Sequence, residues 1–121
     1  ISEAVKFHGF SSEIHKIMAE SAIYVSSSDY EGISNSMLEA LAIGIPAVCT
    51  DCPVGGARMY IRDGENGYLI PVGDADVMAD RMLALMEDKK LGESFSKESV
   101  KIREELTDDR IFGMWKALLV R

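Results

Sequence analysis

Two glutamates, Glu31 and Glu39, flank a short run, Gly32-Ile33-Ser34-Asn35-Ser36, that leads into an apolar stretch. A loop entering a helix leaves backbone N–H groups without intrahelical partners, and the helix dipole adds partial positive charge there. A diphosphate is attracted to such a place. Carboxylates beside it repel phosphate but accept hydrogen bonds from sugar hydroxyls. A nucleotide sugar has both parts, a diphosphate flanked by two polyols. A structural reading competes. Ser36-Met37-Leu38-Glu39 has the form of a capping box, in which Glu39 returns to the Ser36 backbone N–H and Glu31 is a solvated loop charge. Spacing alone favours the structural reading.

Three other groupings invite chemistry. Cys49 and Cys52 are spaced as a redox pair or half a zinc site. A zinc site wants a second pair or nearby histidines, and His8 and His15 lie far upstream. A buried thiol at the end of an apolar strand is expected instead, and free thiols fit a cytosolic location. Asp74-Ala75-Asp76 spells a metal-binding Asp-x-Asp string, yet it opens a helical pattern, where an N-cap and a first-turn acid are expected. Gly55-Gly56-Ala57-Arg58 reads equally as a phosphate loop with an arginine anchor or as a turn entering a helix.

The elements that must position these residues alternate. Val5–Phe7 is a strand candidate. Ser11 or Ser12 caps a helix with Ile14, Ile17 and Met18 on one face. Ala22–Val25 is a second strand, followed by a polar loop over Ser28–Asn35. A helix over Ser36–Ile43 buries Met37, Leu38, Leu41 and Ala42, and Gly44 with Pro46 ends it. Ala47–Thr50 is a third strand, Ala57–Ile61 a short helix and Tyr68–Val72 a fourth strand. Asp74 caps a helix with Met78, Met82, Leu85 and Met86 as its core face. A more polar helix over Leu91–Glu105 turns Leu91, Phe95 and Ile102 inward. Thr107 caps the last helix, where Ile111, Met114, Trp115, Leu118 and Leu119 form an apolar stripe. This alternation predicts an α/β fold: a Rossmann-like parallel sheet flanked by helices, with a helical C-terminus. Ligands of such sheets bind beyond the carboxyl ends of the strands.

Composition narrows the partners. The 121 residues suit one domain, 47% are hydrophobic, and the net charge is −7. That charge argues against nucleic acid as a partner. No apolar run approaches the ~20 residues that span a bilayer, and no signal peptide is visible. Ile1 rather than Met opens the chain, so the expectation is that the true start lies upstream.

The region around the two glutamates resembles the Glu-x7-Glu signature of the large family-4 retaining glycosyltransferases, with Glu31 and Glu39 in the glutamate positions. The similarity continues through Gly44-Ile45-Pro46-Ala47-Val48 and Pro53-Val54-Gly55-Gly56. It extends through Asp63-Gly64-Glu65-Asn66-Gly67 to Asp74, and upstream through Phe7-His8-Gly9-Phe10. It covers Val5 to Met86, with the motifs in order along the alternation.

The resemblance implies the nucleotide-sugar-binding, C-terminal domain of a GT-B fold, present here in part (residues 1–121), with the N-terminal acceptor domain absent. It implies that Glu39 holds the ribose hydroxyls and that Glu31, the catalytic candidate, sits beside the donor sugar near its 3- and 4-hydroxyls. The N–H groups of Gly32, Ile33 and Ser34 would reach sugar and diphosphate, with Asn35 and Ser36 close behind, and the backbone at His8-Gly9 would line the base. No cofactor and no metal are implied. Ser28–Ala57 looks most like bacterial polysaccharide-assembly transferases. A UDP-linked hexose or N-acetylhexosamine is therefore the expected donor, a glycan or lipid-linked molecule the acceptor, and the inner face of the cytoplasmic membrane the location. Met59 departs from the family, which often has an acid there, and puts donor contacts from that turn in doubt. The alternative function is a non-catalytic doubly wound binding module, which would have no need of both glutamates. If Val5–Phe7 is the family's third strand, its neighbours are missing. That would leave an unpaired strand edge, so strand pairing between molecules or a rearranged sheet is expected.

Overall fold

The computed structural model describes residues 1–120. After a single 3-10 turn at Ser2–Ala4, the elements run α1 (Ile14–Ala19), β1 (Tyr24–Ser26), α2 (Asn35–Ile43), β2 (Ala47–Thr50) and α3 (Gly56–Tyr60). Then come β3 (Gly67–Ile70), α4 (Ala75–Glu87), α5 (Lys89–Ser99), α6 (Ile102–Glu105) and α7 (Asp108–Leu119). The strands form a three-stranded parallel sheet in the order β1-β2-β3. Tyr24 stands opposite Ala47, which stands opposite Gly67. Gly67 is required there, because a Cβ on it would lie 2.5 Å from the Ala47 carbonyl oxygen.

The central strand β2 is buried along its whole length, and its alternation builds two cores. Ala47 and Cys49 face Met37 and Leu41 of α2, Ile61 after α3, and Ile102 of α6. Val48 faces the other way, to Ile70, Leu85 of α4 and Phe95 of α5. The sheet is thus covered on both faces, as apolar parallel strands require. A third cluster, Met18, Ala40 and Ile45, fixes α1 against α2.

Several caps form as their sequence predicts. Asp74 Oδ1 accepts the Val77 N–H at 3.0 Å and Thr107 Oγ1 accepts the Arg110 N–H at 3.4 Å. Gly44 ends α2 at φ 98°, with its N–H shared between the Ala40 and Leu41 carbonyls.

The structure also corrects expectations. Val5–Phe7 is not a strand; it is an exposed arm, with Phe7 93% and Phe10 100% exposed. A strand needs a hydrogen-bonding neighbour, and among the described residues none pairs with this segment. In a doubly wound sheet of order 3-2-1-4-5-6, β1-β2-β3 fit the last three places. A preceding strand would sit on the far side of two others that the described residues lack. β1 is therefore an open edge of the sheet, and Val5–Phe7 is not. β3 stops before Pro71, which has no N–H to add to the ladder. The Leu91–Glu105 helix starts earlier, on an Asp88 cap (Oδ1 to the Leu91 N–H, 3.0 Å), and divides into α5 and α6. At the junction the Lys101, Arg103 and Glu104 N–H groups bond to carbonyls three residues back, a tighter winding than the α-helix. Met86 is 66% exposed rather than core, and it lines an open groove with Ile45 and Pro46.

Candidate functional site

The carboxyl ends of β1 and β2 feed the two loops that carry the chemistry. Their parallel pairing continues past the strands. The Glu31 N–H donates to the Pro53 carbonyl at 2.8 Å, and the Val54 N–H donates to the Glu31 carbonyl at 3.1 Å. Thr50 Oγ1 donates to the Ser28 carbonyl, tying the start of the loop to β2. Gly56 lets the loops touch: a Cβ on it would lie 1.9 Å from the Gly32 carbonyl oxygen and 2.7 Å from the Ile33 nitrogen. The Glu31–Gly32 backbone is thus held by the second loop rather than left free in solvent.

The helix that follows begins earlier than the capping-box reading requires. Ser34 is the N-cap, with extended backbone (φ −76°, ψ 119°) and Oγ accepting the Met37 N–H at 3.4 Å. Ser36 lies within the first turn, and its hydroxyl is shared by the Tyr24 hydroxyl at 2.8 Å and Ser34 Oγ at 3.0 Å. The box over Ser36–Glu39 is not formed. Glu39 falls in the second turn, and its Oε2 lies 3.4 Å from His15 Nε2 of α1. The structure therefore removes the capping role that competed for Glu39.

Among the described residues, the backbone N–H groups of Gly32, Ile33, Ser34, Asn35 and Ser36 donate no hydrogen bond. They form a run of unused donors at the N-terminus of α2, where the helix dipole adds to them. Glu31 stands at one end of the run and Glu39 beyond the other, both exposed. Glu31, Gly32, Ser34, Thr50, Cys52 and Ala57 line a narrow cleft between the two loops. A larger open groove of about 720 Å³ lies at the opposite pole, beside Ala22, Gly44 and Pro46. Those residues precede the strands, the end at which parallel sheets do not bind ligands.

The remaining candidates separate. His8 and Gly9 lie in the exposed arm, Gly9 at φ 63°, and among the described residues no hydrogen bond ties either to the α2 loop. Arg58 is engaged with Asp51, Nε to Oδ1 and Nη2 to Oδ2 both at 2.7 Å, a fork that joins the end of β2 to α3. Its hydrogen bonds to Asp51, and then the charge there, push the Arg58 pKa up. Gly55, at φ 92°, turns the chain into α3, which is the turn reading of that motif. Cys49 and Cys52 are free and buried, and burial pushes the Cys49 thiol up to about 12. Asp74 is occupied as a cap. Among the described residues no group of three or more His, Cys, Asp or Glu is placed to hold a metal, and no helix is long and apolar enough to cross a membrane.

The motif from Asp63 to Gly67 is structural. The Asn66 side chain accepts the Arg62 N–H at 2.7 Å and donates to the Tyr60 carbonyl at 2.9 Å, and Asp63 Oδ1 accepts the Leu69 N–H at 2.9 Å. Sequence reasoning missed Thr50 and His15. A strand-end threonine beside a serine loop is a usable signal for the first. Nothing local points to the second, which reaches Glu39 only through the packing of α1 on α2.

The family model described as glycosyl transferases group 1 matches residues 1–101. EpsD of Bacillus subtilis (strain 168) is 35% identical over 122 residues, covering 98% of this chain and 32% of EpsD. A Campylobacter jejuni protein is 33% identical over 108 residues, covering 89% of this chain and 29% of its own length. Its name is N-acetylgalactosamine-N,N'-diacetylbacillosaminyl-diphospho-undecaprenol 4-alpha-N-acetylgalactosaminyltransferase. A mutant of S. aureus TarM, crystallised with Fondaparinux, alpha-GlcNAc-glycerol and UDP, superposes with a TM-score of 0.85 at 31% identity. That match covers 94% of this chain and 23% of the TarM chain. The chain thus spans about a third or less of the length of these relatives.

Proposed function

This chain belongs to the glycosyl transferases group 1 family, and from that premise we propose that it is the donor-binding part of a family-4 retaining GT-B glycosyltransferase. The donor is a UDP-sugar, carrying a hexose or N-acetylhexosamine. The bound UDP of the TarM relative supports the nucleotide, and the transferase name of the Campylobacter relative supports an N-acetylhexosamine among the candidates. The acceptor is a glycan or lipid-linked molecule in bacterial polysaccharide assembly. It is presented by an N-terminal domain outside this chain, at the inner face of the cytoplasmic membrane.

In this reading Glu39 accepts hydrogen bonds from the ribose hydroxyls. Glu31 does the same for the donor sugar, close to the bond that breaks. Rupture of the bond between anomeric carbon and diphosphate puts positive charge on the ring and negative charge on the leaving phosphate. The fixed N–H groups from Gly32 to Ser36 face that developing negative charge without reorganising. They replace a divalent cation in this role, so no metal is needed. His8 and Gly9 line the base once the arm is brought over the loop. The open β1 edge is where a second strand, from the same protein or from another copy, completes the sheet.

The observation that carries this reading is the run of five unused N–H donors between two carboxylates, neither of which has a capping role. Calorimetric titration with UDP in EDTA tests it. Binding is expected without metal, and Glu39→Ala should weaken it about tenfold or more, the value of a hydrogen bond to a charged group. UDP binding unaffected by Glu39→Ala, or binding that requires a divalent cation, would overturn it.

A further inference from the structure

Glu39 is exposed on α2, and a glutamate there has three side-chain torsions to fix before it can receive a ribose. His15 stands against it, with Nε2 3.4 Å from Oε2; their side chains are 67% and 44% exposed. The two residues come from different helices, and the pairing is built rather than incidental. Met18, one turn after His15 on the same face of α1, packs with Ala40, the residue after Glu39, and with Ile45. That cluster sets the distance between the helices and delivers the imidazole to the carboxylate. Glu39 is the one titratable side chain on α2, while α1 carries Lys16 beside His15 and is flanked by Glu13 and Glu20. His15 is paired with Glu39 alone among the described residues.

We propose that His15 is a positioning residue for the nucleotide: by holding Oε2 of Glu39 it presents Oε1 to the ribose hydroxyls. This rests on the reading of Glu39 as the ribose acceptor. The gain is preorganisation, since a carboxylate already held loses less freedom when the ligand arrives. As an exposed pair it contributes little to folding. Removing His15 should therefore act on ribose recognition and leave stability nearly unchanged.

The test compares UDP with 2′,3′-dideoxy-UDP, which keeps the base and diphosphate and lacks both hydroxyls. The probe set is this chain with its own sequence, His15→Ala, His15→Gln and Glu39→Ala, each titrated with both nucleotides and each melted. The unaltered chain should prefer UDP by about tenfold or more. Glu39→Ala should abolish the preference. His15→Ala should reduce it several-fold at an unchanged melting midpoint. His15→Gln, which keeps a side-chain N–H donor, should restore most of it. If Glu39→Ala abolishes the preference while His15→Ala leaves it intact, or tightens UDP, the positioning role is refuted and the ribose reading stands. If Glu39→Ala leaves the preference unchanged, both fall together.

Discussion

Replacing Gly56 by alanine isolates the contact that holds the candidate site together. Gly56 opens α3, where it has no positive φ, so alanine suits the backbone. By helix propensity alone the change should stabilise by about 1 kcal/mol. The structure reverses the sign. The new Cβ would lie 1.9 Å from the Gly32 carbonyl oxygen and 2.3 Å from its carbon, both backbone atoms of the other loop. That is roughly 1.5 Å short of ordinary van der Waals contact, and no rotamer relieves it. The Gly32 loop must retreat, straining the Glu31–Pro53 and Val54–Glu31 hydrogen bonds. Overpacking of this kind costs about 1–3 kcal/mol, and each hydrogen bond lost adds about 1 kcal/mol. A net destabilisation of about 2–4 kcal/mol is expected in urea denaturation. UDP affinity should fall about tenfold or more in calorimetry, because the N–H run and Glu31 move with the loop. Gly113→Ala is the control. It sits in α7 with nothing within 4 Å of its Cβ, so it should gain up to about 1 kcal/mol. A Gly56→Ala chain as stable as the control, binding UDP as before, would refute the claim that the two loops depend on this approach.

Two further predictions concern residues whose motifs invite other readings. Burial raises the Cys49 thiol from 9.0 to about 12. Its stabilising contribution is therefore complete below the unfolded value and declines as pH rises from about 9 toward 12, where the unfolded thiol ionises and the folded one does not. Denaturation midpoints at about pH 8 and pH 10.5 should fall less in Cys49→Ala than in the unaltered chain; equal falls would place the thiol in a less buried state. Asp74→Ala should cost about 1 kcal/mol by loss of the Val77 cap, and Asp76→Ala less than about 0.5 kcal/mol. Equal costs from the two, read by thermal melting, would count against the capping assignment.

How much of this was legible in the sequence depends on how local each cause is. The Asp74 and Thr107 caps and the Gly44 terminus follow from neighbours within one turn, and they form where their sequence places them. The start of α2 is different. Ser34, Asn35 and Ser36 are all acceptable caps. The choice is made by the Tyr24 hydroxyl, which engages Ser36 from twelve residues upstream. Val5–Phe7 shows the same limit for strands: extended-favouring residues such as Val5 and Phe7 do not make a strand without a neighbour. The stripe on α7 was legible as a pattern, yet Trp115 is 60% exposed and no residue of that helix is buried. Periodicity identifies an apolar face without identifying what covers it.

The placement of the site, by contrast, follows from a single strand. β2 is apolar on both faces, so it must lie centrally with helices above and below. Its parallel pairing with β1 then fixes the direction in which both chains leave the sheet. Because that pairing runs on to Glu31 and Val54, the loop bearing Glu31 inherits the rigidity of the sheet. The run Gly32–Ser36 is then carried to the start of α2 with its N–H groups unspent. The two-residue difference between a cap at Ser36 and a cap at Ser34 decides the rest. A Ser36 cap would engage Glu39 in holding the helix end. The Ser34 cap places Glu39 in the second turn, beside His15 and open to a ligand. The chemistry assigned to Glu39 thus depends on a hydroxyl five residues before it, and on the tyrosine that engages the competing Ser36.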